Sequence, residues 1–246
     1  MNYHWDWSVF RQLTINTVDR YWEWLLSGLA LTVLIAMLAW VLALALGVLL
    51  GIARTVPFRP ARTAVGLYVE VFRNIPLLVQ LFFWYYIVPA FLPLSLQNTI
   101  NAAHPVLVQT MTAVLCLGLF TAARVCEQVR AGIEAQPKDQ FSAALALGLK
   151  RHQVYRYVIL PMALRVIIPP LTSEFLNVFK NTAVVLTIGL LELTAQSRQV
   201  GEFTGHIFEA FIVATLLYFL VAQTVSRLMG RLERRVTIPG ESGGGR

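Results

Sequence analysis

Two stretches without a formal charge decide what this 246-residue chain can fold into. No Lys, Arg, Asp or Glu occurs from Trp24 to Ala53, and none again between Arg73 and Arg124. A helix of about 20 apolar residues crosses a bilayer core, so the first stretch is one membrane span and the second has room for two. Composition agrees. With 57% hydrophobic and 13% charged residues and a mean hydropathy of +0.63, the chain lies outside the usual range of water-soluble domains. It reads as an all-α, polytopic membrane helix bundle.

The polar break Ser95–His104 divides the second stretch, which gives a second span over roughly 65–91 and a third over roughly 105–122. A fourth, roughly 157–191, is interrupted by Arg165, Pro169-Pro170, Glu174 and Lys180, so a broken helix or one lining a polar interior is expected there. The fifth runs over about 207–225. Five transmembrane helices result, within a transmembrane domain of residues 26–231 between an N-terminal segment, 1–25, and a tail, 232–246, whose Gly-rich end has the composition of a disordered segment.

Short cytoplasmic loops retain Lys and Arg. Arg54, Arg59 and Arg62 follow the first span, Arg124 to Arg156 the third, and Arg227 to Arg235 the fifth, while the intervening connections carry Arg198 alone. An odd number of spans then places the N-terminus outside, in the periplasm, where Arg11 and Arg20 are outnumbered by acids. The net charge of +7 is explained by orientation and anionic lipid, not by nucleic acid. Cys116 and Cys126, without metal-ligand spacing, read as buried thiols. The start of the chain lacks the basic, short-cored pattern of a cleaved signal peptide, so the first span is expected to act as the targeting signal.

The basic segment 138–161 between the third and fourth spans is too polar for the bilayer. Lys138–Leu147 is rich in helix formers, Gly148 supplies a left-handed stop, and a second helical stretch starts near His152. Ala143 and Ala144 allow close approach of another chain, and Val154, Val158 and Leu160 are expected to form a stripe against the bundle. Spacing alone fits a docking element and an amphipathic helix resting on lipid equally well.

Ala143-Ala144, three residues, Gly148, nine residues and then Val158-Ile159-Leu160-Pro161 resembles the EAA loop of ABC importer permeases. Tyr68-Val-Glu-Val-Phe-Arg-Asn-Ile-Pro-Leu-Leu-Val-Gln80 and Phe179-Lys-Asn-Thr182 resemble the polar amino-acid uptake branch of that family, and Leu117 to Arg130 looks most like its glutamate/aspartate permeases. The resemblance covers about Leu26 to Arg231. It implies a type I ABC importer permease fold in the bacterial inner membrane, with Ser142, Ala143, Ala144, Gly148, Leu160 and Pro161 in a coupling loop that docks on an ATP-hydrolysing subunit. Ser142 stands where the family carries its leading Glu, which removes an ionic contact from that docking. Implied partners are a second, similar but distinct permease chain, two ATP-binding subunits that hold ATP and Mg, and a periplasmic solute-binding protein. No cofactor is implied for this chain.

Polar residues inside the spans are candidates for a solute pathway, since ionised groups at bilayer depth are costly. On one continuous helix, at about 100° per residue, Arg73 and Gln80 share a face with Glu70 and Asn74 nearby. Glu70 and Arg73 have the spacing to pair; snorkelling to an interface accounts for them as well. Pro76 is expected to kink this helix. Glu174 and Lys180 are the stronger candidates, Lys180 either as a solute-facing cation or as a salt-bridge partner of Glu174. His104, His206 and Glu209, near span ends, are expected to be solvated.

No phosphate-binding Gly-x-x-x-x-Gly-Lys-Ser/Thr loop occurs, and no catalytic constellation, so the chain is not expected to be an enzyme. An ion-coupled secondary transporter or a channel would leave the docking segment unused, and the sequence shows no internal repeat. A membrane scaffold recruiting a cytoplasmic partner would leave the intramembrane charges idle. The reading that uses every feature is a permease subunit of an ABC importer for polar amino acids, glutamate and aspartate foremost, driven by a separate ATPase.

Overall fold

The computed structural model describes residues 3–16 and 18–236. Among them are ten α-helices, α1 Tyr21–Thr55, α2 Arg59–Asn74, α3 Leu77–Phe82, α4 Leu94–Ala102, α5 Pro105–Glu134, α6 Lys138–Ala146, α7 Arg151–Val154, α8 Leu160–Asn181, α9 Leu193–Thr204 and α10 Ile207–Val236, and no named strand. The Gly-rich end assigned to the tail lies outside the described residues. Four runs, Tyr21–Thr55, Pro105–Glu134, Arg151–Ile188 and Ile207–Arg234, are each long and apolar enough to cross a membrane, and a fifth crossing requires the bent pair Arg59–Asn74 and Leu77–Phe91.

That bent pair bears out the kink expected at Pro76 and makes it sharper than a bend within one continuous helix. The pair turns by 107° at Ile75-Pro76, because Pro76 has no N–H to donate and its ring excludes the preceding turn. A π-turn over Phe83–Ile87 and a 3₁₀ turn over Val88–Phe91 complete the second arm. The polar break after it contains α4. The third span continues far past Ala122 to Glu134, so Arg124 and Arg130 lie on the helix and not in a following loop. The fourth is not broken at its prolines: α8 continues through Pro169 and Pro170, and departures from α-geometry come at its two ends, a π-turn over Tyr155–Ile159 before it and a 3₁₀ segment over Thr182–Ile188 after it. Membrane helices tolerate proline where neighbouring groups and local adjustments absorb the lost bonds.

The chain resolves into two compact units. The first comprises Met1–Val41, Ile75–Gly118 and Asn177–Gln223. Its core joins Val9, Tyr21, Leu25, Leu193, Val200, Ala210 and Ala214. The fully buried Glu192 caps α9 by accepting from the Ala195 N–H at 2.8 Å, and also accepts from the Tyr218 hydroxyl at 2.8 Å. A buried carboxylate is tolerable only when so supplied with donors.

Glu209 corrects the expectation of a solvated position, being fully buried. It accepts from the Tyr3 hydroxyl and from the Asp6 N–H at 2.9 Å, with His206 Nδ1 at 3.2 Å. Loss of water contact, then the bond to Glu209, pushes the Tyr3 phenol up to about 12, so it stays a donor. Bonds from Ser8 hold the Asp6 carboxyl below its usual value. Glu209→Ala is therefore expected to release the N-terminal segment, which loses its hydrogen bonds to a charged group, so amide exchange over Tyr3–Arg11 should accelerate by roughly tenfold or more. Unchanged exchange would mean that the apolar contacts of Val9 suffice.

The second unit comprises Leu42–Asn74, Leu119–Leu176 and Thr224–Arg246, of which 237–246 are not described. Val65, Val69, Ala123 and Cys126 are buried together, with Leu50, Tyr68 and Phe72 packed against them. The Tyr68 hydroxyl donates to the Leu119 carbonyl at 2.6 Å. Gly47 and Gly51, one turn apart on α1, meet α5 so closely that an added Cβ would lie 2.5 Å from Val125 Cβ and 2.6 Å from Val129 Cβ. This is a small-xxx-small contact of the kind that lets membrane helices approach. Both cysteines are buried free thiols, as expected.

Candidate functional site

Helix α6 ends as its sequence demands. The Gly148 N–H bonds the Leu145 carbonyl at 2.9 Å and the Leu149 N–H bonds the Ala144 carbonyl at 3.2 Å, while Gly148 sits at φ +85°. This is a Schellman stop, which a residue with a Cβ enters only under strain. After it, the Gln153 side chain accepts from the Lys150 N–H at 2.8 Å and starts α7.

The two arms are held together from inside. Ala144 is buried on α6, Val154 and Ile159 are buried on the other arm, and Phe141 meets Tyr155 edge to face with centroids 6.0 Å apart. The expected stripe Val154, Val158, Leu160 is corrected by one position. A π-turn over Tyr155–Ile159 inserts one extra residue in that turn, so Ile159 rather than Val158 follows Val154 onto the buried face.

The small residues predicted for docking divide between two tasks. Ala144 packs inward, while Ser142, Ala143 and Gly148 are exposed, as is Pro161 in the first turn of α8, with Leu160 partly buried. Leu147 is the residue that sequence reasoning missed. It stands at the bend, 84% exposed, an apolar knob at the tip of the projection. Its signal was present, since the residue before a left-handed stop has no following turn to cover it.

The polar candidates are regrouped. Glu174 is buried on α8, and Gln128 Nε2 donates to it at 3.2 Å while Arg124 Nη1 lies 3.6 Å away. The Arg124 guanidinium carbon is 5.0 Å from the centre of the Phe120 ring and its side chain stays 42% exposed. Among the described residues, Arg124 Nε and Gln128 Oε1 are buried and meet no hydrogen-bond partner. Glu174 and Lys180 do not pair: on one unbroken helix six residues turn the side chain by about 600°, onto another face, and Lys180 is exposed.

Glu70 and Arg73 also form no ion pair among the described residues; both are exposed, as is Asn74, around a hollow shared with Arg54, Gly66, Val69 and Glu127. The expected common face of Arg73 and Gln80 is lost at the Pro76 break. Gln80 is buried instead, and its Nε2 donates at 2.8 Å to the Ile75 carbonyl, which the break leaves without a helical donor. Gln80 therefore holds the bend.

Comparison with known proteins places the chain. Residues 43–238 match the family described as "Binding-protein-dependent transport system inner membrane component". The chain is 44% identical to the glutamate/aspartate import permease protein GltJ of Escherichia coli (strain K12), covering 99% of this chain and all of that one. It is 32% identical to the glutamate/aspartate import permease protein GltK of Escherichia coli O6:H1, with 95% and 99% covered. A crystal structure of an amino acid ABC transporter with histidines matches at a TM-score of 0.75 and 30% identity over 91% of this chain and 99% of that chain. An inward-facing MetNI methionine ABC transporter shares the fold at a TM-score of 0.62 and 21% identity, covering 89% and 94%. The chain thus belongs to the family of binding-protein-dependent transport system inner membrane components, as a multi-pass permease subunit of the inner membrane and not an enzyme.

Proposed function

We propose that this chain is the permease of an ABC importer for acidic amino acids, glutamate and aspartate, and that the α6–Gly148–α7 projection couples it to ATP hydrolysis in a partner subunit. The observation that carries the coupling is the projection itself: a two-arm element, closed on its inner side by Ala144, Val154 and Ile159, with Ala143 and Leu147 exposed on α6 and at the bend. Substrate class rests on the 44% identity to a glutamate/aspartate import permease over the full chain. Partners of this reading are a second permease chain, two ATP-binding subunits carrying ATP and Mg, and a periplasmic solute-binding protein, with the N-terminus outside. ATP-driven closure of the partner subunits displaces the two projections, and the bundles rock between inward- and outward-open states.

In this reading Lys180, exposed on α8, is the cation offered to a dicarboxylate. Glu174, Gln128 and Arg124 form a polar cluster of their own in the second unit. Lys180→Ala is expected to raise the apparent KM for glutamate about fivefold to tenfold with the complex intact, the worth of one partly screened charge contact; unchanged kinetics would remove Lys180 from the pathway.

The reading as a whole is tested by reconstituting the chain with its partner subunits in proteoliposomes and following glutamate and aspartate uptake. Uptake that stops when the ATPase is made hydrolysis-dead supports it. Uptake that persists would point to an ion-coupled carrier.

A further inference from the structure

The second unit carries a cationic hollow that the transport reading does not use. It is lined by Arg54 from the last turn of α1, by Arg59, Arg62 and Thr63 from the first turns of α2, and by Arg130 and Glu134 from the end of α5, with a volume of about 330 Å³. Two of these arginines are fixed in place. Arg54 pairs with Glu127, and Arg130 donates to Glu127 through Nη2 at 2.8 Å and also meets Glu134. Arg59 and Arg62 are exposed and form no ion pair among the described residues. Four cations face one lining carboxylate, and counting Glu127 as a second still leaves two positive charges unbalanced.

Depth follows from helix length. The charge-free run Trp24–Ala53 holds 30 residues, about 45 Å of helix at 1.5 Å per residue, which matches a bilayer including its headgroups at about 40–45 Å. Arg54, the next residue, lies at headgroup level, and the hollow with it.

We propose that this hollow binds a phosphate oxyanion, and specifically the phosphodiester headgroup of an anionic phospholipid. Guanidinium groups match phosphate oxygens with paired donors, the Thr63 hydroxyl adds another, and a basic recess at the ends of membrane helices is where such headgroups bind. The site has a mechanical address as well. An adjoining hollow shares Arg54, Arg62 and Glu134 and extends to Phe141, Tyr155 and Ile159, the residues that close the two-arm projection. A lipid seated on Arg62 thus braces the base of that projection.

The test is native mass spectrometry of the full chain titrated with phosphatidylglycerol, phosphatidylcholine or inorganic phosphate. Wild type is expected to retain phosphatidylglycerol preferentially, and the double variant Arg59→Gln, Arg62→Gln to lose about twenty-fivefold in affinity, the product of about fivefold per basic residue at an anionic surface. The control Arg227→Gln, Arg231→Gln alters an equally basic stretch of α10 and is expected to retain the lipid. Equal retention by all three proteins, or equal loss in both variants, would overturn the site. Displacement of the lipid by millimolar inorganic phosphate would overturn the lipid assignment and identify a free-anion site.

Discussion

Gly148→Val is expected to leave membrane insertion intact and to reduce solute-stimulated ATP hydrolysis by about tenfold or more. The reason is conformational rather than steric, since a Cβ at Gly148 would meet nothing within 4 Å while its φ is +85°. A non-glycine residue in that region costs roughly 1–2 kcal/mol and a β-branched one is a stronger outlier. That is enough to depopulate the bend about tenfold, because 1.4 kcal/mol is a factor of ten in an equilibrium. Gly148→Asn, whose side chain tolerates the left-handed region, should recover much of the activity. Full stimulation in the Val variant would show that the bend does not transmit the coupling.

The second large effect concerns the α1–α5 contact. Gly47→Leu places its Cβ 2.5 Å from Val125 Cβ and 2.9 Å from the Ala122 carbonyl oxygen, and the backbone atom cannot swing aside. Overpacking of this kind costs about 1–3 kcal/mol and more when backbone must move. A fall of roughly 5–10 °C in the unfolding temperature, or loss of folded protein on extraction, is expected. Gly66→Ala is the matched control: its nearest neighbour is the far end of Arg54, 3.9 Å away, and the gain in helix propensity makes it neutral or slightly stabilising. Equal destabilisation by both would contradict the close-contact account.

The same contact shows what the sequence made legible. Span positions follow from where charges stop, so α1 and the start of α10 were readable to within a few residues. The Gly47-x-x-x-Gly51 spacing was legible in principle, but an apolar run does not say which helix its small residues meet. The end of α5 was misplaced for a physical reason. Arg124, Glu127 and Arg130 read as the end of a span, yet Glu127 pairs with Arg54 and with Arg130 and so keeps the helix intact beyond the apolar core. Likewise Pro76 and Pro169-Pro170 look equivalent as letters. The first breaks a helix and the others do not, because the surroundings, invisible in sequence, decide whether the lost bonds are replaced.

At the projection, Gly148 was readable because left-handed backbone selects for glycine, and the two-arm form followed. The buried face was off by one because a π-turn leaves no mark in the pattern of residues. Glu192 and Glu209 show the same gap: burial of a carboxylate depends on donors brought from Thr32 and Tyr218, or from Tyr3 and Asp6, far away along the chain.

The coupling role of the projection is tested most directly at its tip. A photo-cross-linking residue in place of Leu147, in membranes that contain the partner subunits, is predicted to capture the ATP-hydrolysing subunit, with a yield that changes when ATP is bound. Capture of phospholipid alone, with and without ATP, would contradict the account.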